Sequence, residues 1–210
     1  MKFVIPRGRL MEDSLRFLEN AGISINIDDD RKLFFKNGDT ELILPRARDV
    51  AVYTEYAGDI GICGSDTILE SGCSLFVPLT LNFGRCRLSI IAPEKYTIAD
   101  LSGMDIATKH PEITRRYLNS KKINANIIKL NGSLELAPET GLADAIVDII
   151  QTGETIKKNN LVEIDKIMDI SAVLIVNRIS QKTRYEEIND FILRAGELNG
   201  NRRVCKKYIG

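Results

Sequence analysis

Apolar and polar positions along the chain follow two periods that take turns. Runs of about four to eight mostly apolar residues, bounded by Gly, Pro or Asn, predict strands over 1–6, 33–38, 40–45, 58–64, 85–93, 105–109, 124–130, 144–150 and 171–178. Between them, apolar residues at spacings of three and four predict helices. One runs from about Leu10 to Asn20 and stops at Gly22; a short one covers 47–56. Ser65-Asp66 is placed to cap another over 67–71, and Pro111 opens 111–121 at its first turn. A helical or irregular piece lies near Glu135, a helix covers about 154–160, and a long amphipathic helix covers 185–198. Asn37-Gly38 is a hairpin signal joining the second and third strands. The last dozen residues are polar and basic and read as a frayed tail.

Strands alternating with helices imply α/β architecture with largely parallel sheets. Two such series in 210 residues suggest two small lobes. The expected crossings lie near 92–100 and near 170–178, so the first lobe would hold 1–92 plus 172–210 and the second 93–171. The C-terminal helix would thus return to the first lobe. There is no internal repeat or low-complexity segment.

Composition narrows the function more than the fold. Hydrophobic residues make up 44% and charged residues 28%, ordinary for a globular protein. Lys plus Arg and Asp plus Glu are both 29, so no global basic field draws nucleic acid or an acidic membrane. An anionic ligand must be held by local groups. MKFVIPRGRL is too short and too charged for a signal peptide, and no apolar run approaches the roughly 18 residues of a membrane span. A cytoplasmic location is expected. Cys63, Cys73, Cys86 and Cys205 have no CxxC spacing, and with His110 as the single histidine they do not compose a zinc site. They read as reduced thiols.

Chemistry concentrates in DAIVDIIQTGETI, 144–156. On a strand, Asp144, Ile146, Asp148 and Ile150 share one face. Asp148 lies toward the carboxyl end, where open α/β sheets bind ligands. Thr152, Gly153, Glu154 and Thr155 follow at once. Glycine allows close backbone approach, and amides and hydroxyls in such a bend suit a phosphate. A carboxylate just before it suits sugar hydroxyls, to which it is a strong acceptor. Together they describe a 5-phosphoribosyl group, although Thr-Gly-x-Thr after a strand also serves merely to cap a helix. Asp144 reads as a solvated strand-start residue.

The wider stretch ELAPETGLADAIVDIIQTGETI, 135–156, resembles the signature of the ATP phosphoribosyltransferase family. Glu135, Gly141, Ala143, Ile146, Asp148, Ile149, Thr152, Gly153 and Thr155 fit it, with Ile156 where Leu or Met is usual. IPRGRL (5–10), LPRARDVAVYTEYAGDIGICGSD (44–66), FGRCRL (83–88), IATKHPEITRRYL (106–118), IKLNGSLELAP (128–138) and LVEIDKIMDISAVLIVNR (161–178) are similar to its other blocks. Arg7 replaces a usual Lys, Cys63 a usual Thr, and Asn82 stands before Phe-Gly where Gly is commoner.

The resemblance implies transfer of 5-phosphoribosyl from phosphoribosyl pyrophosphate to N1 of ATP, the first step of histidine biosynthesis. It implies a two-lobed fold similar to type II periplasmic binding proteins, with ATP on the first lobe and the sugar donor on the second. Thr152, Gly153, Glu154 and Thr155 would hold the 5-phosphate, and Glu135 and Asp148 the ribose hydroxyls as the catalytic pair. Arg9, Arg46, Arg48 and Arg85 are candidates for ATP and polyphosphate, each of which also reads as an ordinary surface or salt-bridged arginine. Mg²⁺ would arrive on the substrate, with no metal held by protein side chains alone. Asp66 reads as a cap, His110 as a surface residue at a helix entry, and Arg115 and Arg116 as solvated. Closure of the lobes would exclude water.

The chain resembles the family's short form. That implies a hetero-oligomer with a regulatory subunit related to histidyl-tRNA synthetase, and leaves a homodimer open. The competing reading is a two-lobed solute- or nucleotide-binding module without catalysis. A nucleotide kinase is disfavoured because no Gly-x-x-x-x-Gly-Lys-Ser/Thr loop is present.

Overall fold

A computed structural model describes residues 1–29 and 31–200. Cys205 and nearly all of the expected frayed tail lie outside the described residues. The chain divides into two compact units, Met1–Gly84 with the chain from Ser171 onward, and Arg85–Ile170.

The first unit opens with β1 (Lys2–Val4), α1 (Met11–Asn20) and the hairpin of β2 (Phe34–Asn37) and β3 (Thr40–Ile43). It continues with α2 (Val50–Tyr56), β4 (Ile60–Gly64), α3 (Ser65–Ser71) and β5 (Phe76–Thr80). The second unit contains β6 (Cys86–Pro93), β7 (Asp105–Thr108), α4 (Pro111–Lys121) and β8 (Asn126–Lys129). It ends with α5 (Leu136–Glu139), β9 (Ala145–Ile150), α6 (Glu154–Lys158) and β10 (Leu161–Ile170). The chain then returns to the first unit as β11 (Ala172–Val176), α7 (Arg178–Thr183) and α8 (Tyr185–Leu198).

In the first unit the sheet order is β2-β3-β1-β4-β11-β5. One face buries Phe3, Leu18, Leu174, Phe191 and Ile192, drawing α1 and α8 onto the sheet. The other buries Val4, Val50, Ala51, Ile68 and Val173 under α2 and α3. Helix α8 reaches the core because Ile188, Phe191, Ile192 and Ala195 recur at spacings of three, one and three; Phe191 meets Phe3 edge-on at 5.3 Å. In the second unit the order is β10-β6-β9-β7-β8.

Both sheets are mixed, which corrects the largely parallel expectation. Strand β1 runs parallel to β3 and β4, and β7 parallel to β8 and β9, whereas β6 and β11 pair antiparallel with their neighbours. The segment 85–93, expected in the first lobe, forms β6 inside the second sheet, so the first crossing falls at 84/85. Three elements carry no clear sequence signal. Strand β5 contains Pro78, tolerated because β5 is an edge strand. In β10 two register shifts, between Glu163 and Asp165 and between Lys166 and Met168, break the period of two. Helix α7 is short and polar, and is started by Asn177, whose Oδ1 accepts from the amides of Ile179 and Ser180.

Candidate functional site

The site grows from β9. Its register places Ile146 opposite Ala107 of β7 and Ile91 of β6, and these side chains form an apolar cluster with Ile150, Leu161, Leu134, Ala137 and Ala143. Asp148 lies between Ile146 and Ile150 on that same face, at the carboxyl end of the strand. Its side chain is 17% exposed. One carboxylate oxygen accepts the Ile149 amide at 2.8 Å, and the other lies 3.5 Å from Nζ of Lys109, the residue that follows β7.

Directly opposite Asp148 on β6 is Ser89, fully buried. Its hydroxyl donates to Glu163 at 2.7 Å. Arg87 grips Glu163 from the same strand face, Nε at 2.8 Å and Nη2 at 2.6 Å. This bidentate guanidinium holds the Glu163 carboxyl below the usual range, with the Ser89 bond helping. A polar row therefore runs from Lys109, just past the end of β7, across β9, β6 and β10: Lys109, Asp148, Ser89, then Glu163 with Arg87. Sequence reasoning did not reach Lys109, Ser89, Glu163 or Arg87, because cross-strand register is not written along the chain.

The bend 152–155 follows β9 without a break. Gly153 has φ +84, a left-handed conformation that side chains rarely adopt, so glycine is required there. Thr152, Glu154 and Thr155 are exposed. The Glu154 amide lies 3.5 Å from the Thr152 hydroxyl, a long contact. The bend is anchored by Ile156, which packs against the cluster containing Ile146 and Ile150; any apolar side chain of that size would serve, which explains why Ile stands in for Leu or Met. Glu135 is half-buried at the start of α5, flanked by the buried Leu134 of the same cluster. The structure thus brings Asp148 and the foot of the bend to the face of the second sheet that carries this cluster, and places Glu135 at the start of α5, next to Leu134 of the same cluster.

The first unit assembles its own cationic group. Beyond β1 and β3 the backbone pairing continues as an Arg7–Arg46 bridge, with the Arg7 amide donating to Pro45 at 2.9 Å. Arg9 follows Gly8, and Arg48 sits in a 3-10 turn at Ala47–Asp49. Arg7, Arg9, Arg46 and Arg48 are all exposed at the carboxyl ends of two adjacent parallel strands. Arg85, also exposed, begins the second unit. A cavity of about 380 Å³ lined by Leu15, Leu18, Ile23, Ile25, Ile27 and Asn37 lies elsewhere in the first unit and contains none of the candidate residues.

Other expectations change. His110 is buried, not at the surface: its amide donates to the Thr108 hydroxyl at 2.9 Å, and its carbonyl accepts from the Thr114 hydroxyl at 2.7 Å at the start of α4. Asp66 is buried within the first turn of α3, whose cap position is Gly64, and its carboxylate folds so close to Gly64 that a Cβ there would lie 2.1 Å away. Asp144 is half-buried and accepts the Asp105 amide at 3.0 Å, tying β9 to the start of β7. Arg115 is exposed on α4, as expected, and pairs there with Glu112. Asn82 ties the end of β5 to the end of α8, its side chain donating to the Asn199 carbonyl at 2.8 Å. Among the described residues, no group of three or more His, Cys, Asp or Glu is arranged to hold a metal ion, and no helix is long and apolar enough to cross a membrane.

Known proteins resemble this chain in sequence and fold. The family model for ATP phosphoribosyltransferase (HisG) matches residues 46–196. An ATP phosphoribosyltransferase of Pyrococcus furiosus is 53% identical over 196 residues, 92% of this chain and 96% of the relative. That of Thermococcus gammatolerans is 50% identical over 200 residues, 94% and 98% of the two chains. A chain of the ATP phosphoribosyl transferase (HisG:HisZ) complex from Thermotoga maritima superposes with a TM-score of 0.84 at 35% identity, covering 95% of this chain and 98% of that one. A histidine kinase sensor domain described as similar to periplasmic binding proteins shares the fold alone, with a TM-score of 0.60 at 14% identity. The matched region spans Asp148, its polar row and the glycine bend, and the relatives align over nearly their whole length: the chain belongs to the ATP phosphoribosyltransferase family.

Proposed function

We propose that this chain transfers the 5-phosphoribosyl group of phosphoribosyl pyrophosphate to N1 of ATP, releasing pyrophosphate, as the first step of histidine biosynthesis. The observation that carries the reading is Asp148 and the Thr152–Thr155 bend on one face of the second sheet, within a family match that covers both. The bend takes the 5-phosphate with its amides and hydroxyls. Asp148 and Glu135 accept from the ribose hydroxyls. The second unit is thus the sugar-donor side. Arg9, Arg46 and Arg48 give the first unit the cations for the ATP polyphosphate, and Arg85 is a separate polyphosphate candidate on the second unit.

The reaction needs no nucleophilic side chain. The N1 lone pair forms the bond to C1 while the C1–O pair leaves with pyrophosphate. The residues' work is to hold two polyanions in reacting geometry, which supplies roughly 7–11 kcal/mol of a barrier of this kind. Carboxylates beside the ribose also stabilise the positive charge that grows on the sugar. The donor enters as its Mg²⁺ complex, since that ion prefers phosphate oxygens and water to a protein cage.

The same reading places the chain in the cytoplasm and pairs it with a regulatory subunit related to histidyl-tRNA synthetase, through which histidine would inhibit. The similarity to a chain of the Thermotoga maritima complex supports this pairing. The test is to incubate the full chain, alone and with such a subunit, with ATP, the donor and Mg²⁺. The absorbance of N1-substituted adenine should rise. Binding of both substrates without turnover, even with the subunit supplied, would overturn the reading in favour of a binding module.

A further inference from the structure

The polar row of the second sheet holds two cations in contrasting ways. Arg87 is committed: it makes two close bonds to Glu163, whose carboxylate is further held by Ser89 at 2.7 Å. Lys109 is held loosely, 3.5 Å from Asp148, at the outer limit of a hydrogen bond. Its side chain is 26% exposed, and an ammonium on a four-carbon stem can re-aim over several ångströms. It also stands at the carboxyl end of β7, beside the end of β9 that carries Asp148 and the phosphate bend.

We infer that Lys109 is a binding residue for the pyrophosphate end of the sugar donor, neutralising Asp148 until the ribose hydroxyls claim that carboxylate and then turning its charge to a phosphate oxygen. The inference rests on the donor site proposed above. Ribose hydroxyls and an ammonium compete for the same Asp148 oxygens, so donor binding releases the lysine. The 5-phosphate is already served by the bend, whereas the pyrophosphate carries more charge and needs a cation within reach of the ribose. A charge-assisted contact of this kind is strong enough to alter binding roughly tenfold or more.

The test titrates the full chain with Mg²⁺-pyrophosphate and, separately, with phosphoribosyl pyrophosphate, comparing wild type with Lys109→Met, Lys109→Arg, Asp148→Asn and the Lys109→Met/Asp148→Asn pair, each checked for an unchanged melting transition. Lys109→Met should weaken pyrophosphate roughly tenfold or more. Lys109→Arg should retain most of the affinity, and Asp148→Asn should leave pyrophosphate binding intact while weakening the sugar donor. The double variant should stay as weak toward pyrophosphate as Lys109→Met. Recovery of affinity in the double variant would show that Lys109 acts only by neutralising Asp148, and would overturn the inference. So would wild-type pyrophosphate affinity in Lys109→Met. If wild type binds the sugar donor but these variants do not separate, only this inference falls; if wild type binds neither ligand, the donor site itself falls.

Discussion

At the residue scale, Asp148 combines partial burial with a loosely held counter-charge, Lys109 at 3.5 Å, which leaves its oxygens available for exchange with sugar hydroxyls. Replacing it with Asn keeps the size and the Ile149 contact but halves the acceptors. Asp148→Asn should therefore reduce turnover roughly 10- to 100-fold with little change in melting temperature, measured by steady-state kinetics and thermal unfolding. An unchanged rate would remove the residue from the site. Cys63 is the opposite case, a polar group with no reactive role: burial in β4 pushes its thiol far above the usual range, so it packs as a small apolar side chain where Thr would also fit.

At the element scale, two packing arrangements carry specific consequences. Strand β4 runs between β1 and β11, and α2 crosses it so closely that a Cβ on Gly61 would lie 2.2 Å from the Thr54 hydroxyl and 2.9 Å from Ile175. Gly61→Ala should cost about 1–3 kcal/mol, read by denaturant titration, because both neighbours are themselves buried. The β6–β10 pairing is locked by Arg87, Ser89 and Glu163. The Glu163 pKa is depressed in the folded chain, so its contribution to stability is present above the ordinary value of about 4.3 and is lost as pH falls through the lower folded value. Glu163→Gln should lower the melting temperature near neutrality, and the gap from wild type should shrink as the pH drops below about 4. A gap that stays constant with pH would show that the pair's charge is not what stabilises the strands.

At the scale of the whole molecule, the chain leaves the first unit at Gly84 and returns at Ser171 to complete it. The returning segment is not an appendage. Strand β11 separates β4 from β5, and α8 supplies Ile188, Phe191, Ile192 and Ala195 to the core built on β1. Asp59 fastens the return, accepting from the Lys2 amide at 2.8 Å, the Ser180 hydroxyl at 2.6 Å and Arg184 at 2.7 Å. Phe191→Ala should cost about 3–5 kcal/mol through the cavity it leaves against Phe3. Calorimetry of the full chain checks this, and a loss below about 1 kcal/mol would show that α8 contributes little to the core.

What the sequence determined by itself was local. Period and punctuation were enough to place α4 and α8 residue for residue and most strands within a residue or two, because amphipathic spacing, proline and glycine act over a few neighbouring positions. The Asp148–Thr155 stretch was legible for the same reason: strand, carboxylate and glycine bend are contiguous. The tertiary structure alone decided the rest. It moved 86–93 into the second sheet, made both sheets mixed, buried His110, and set Lys109 and Ser89 beside Asp148. Those outcomes depend on which strands become neighbours and in which register, and that choice is made by burial of whole faces across residues dozens of positions apart.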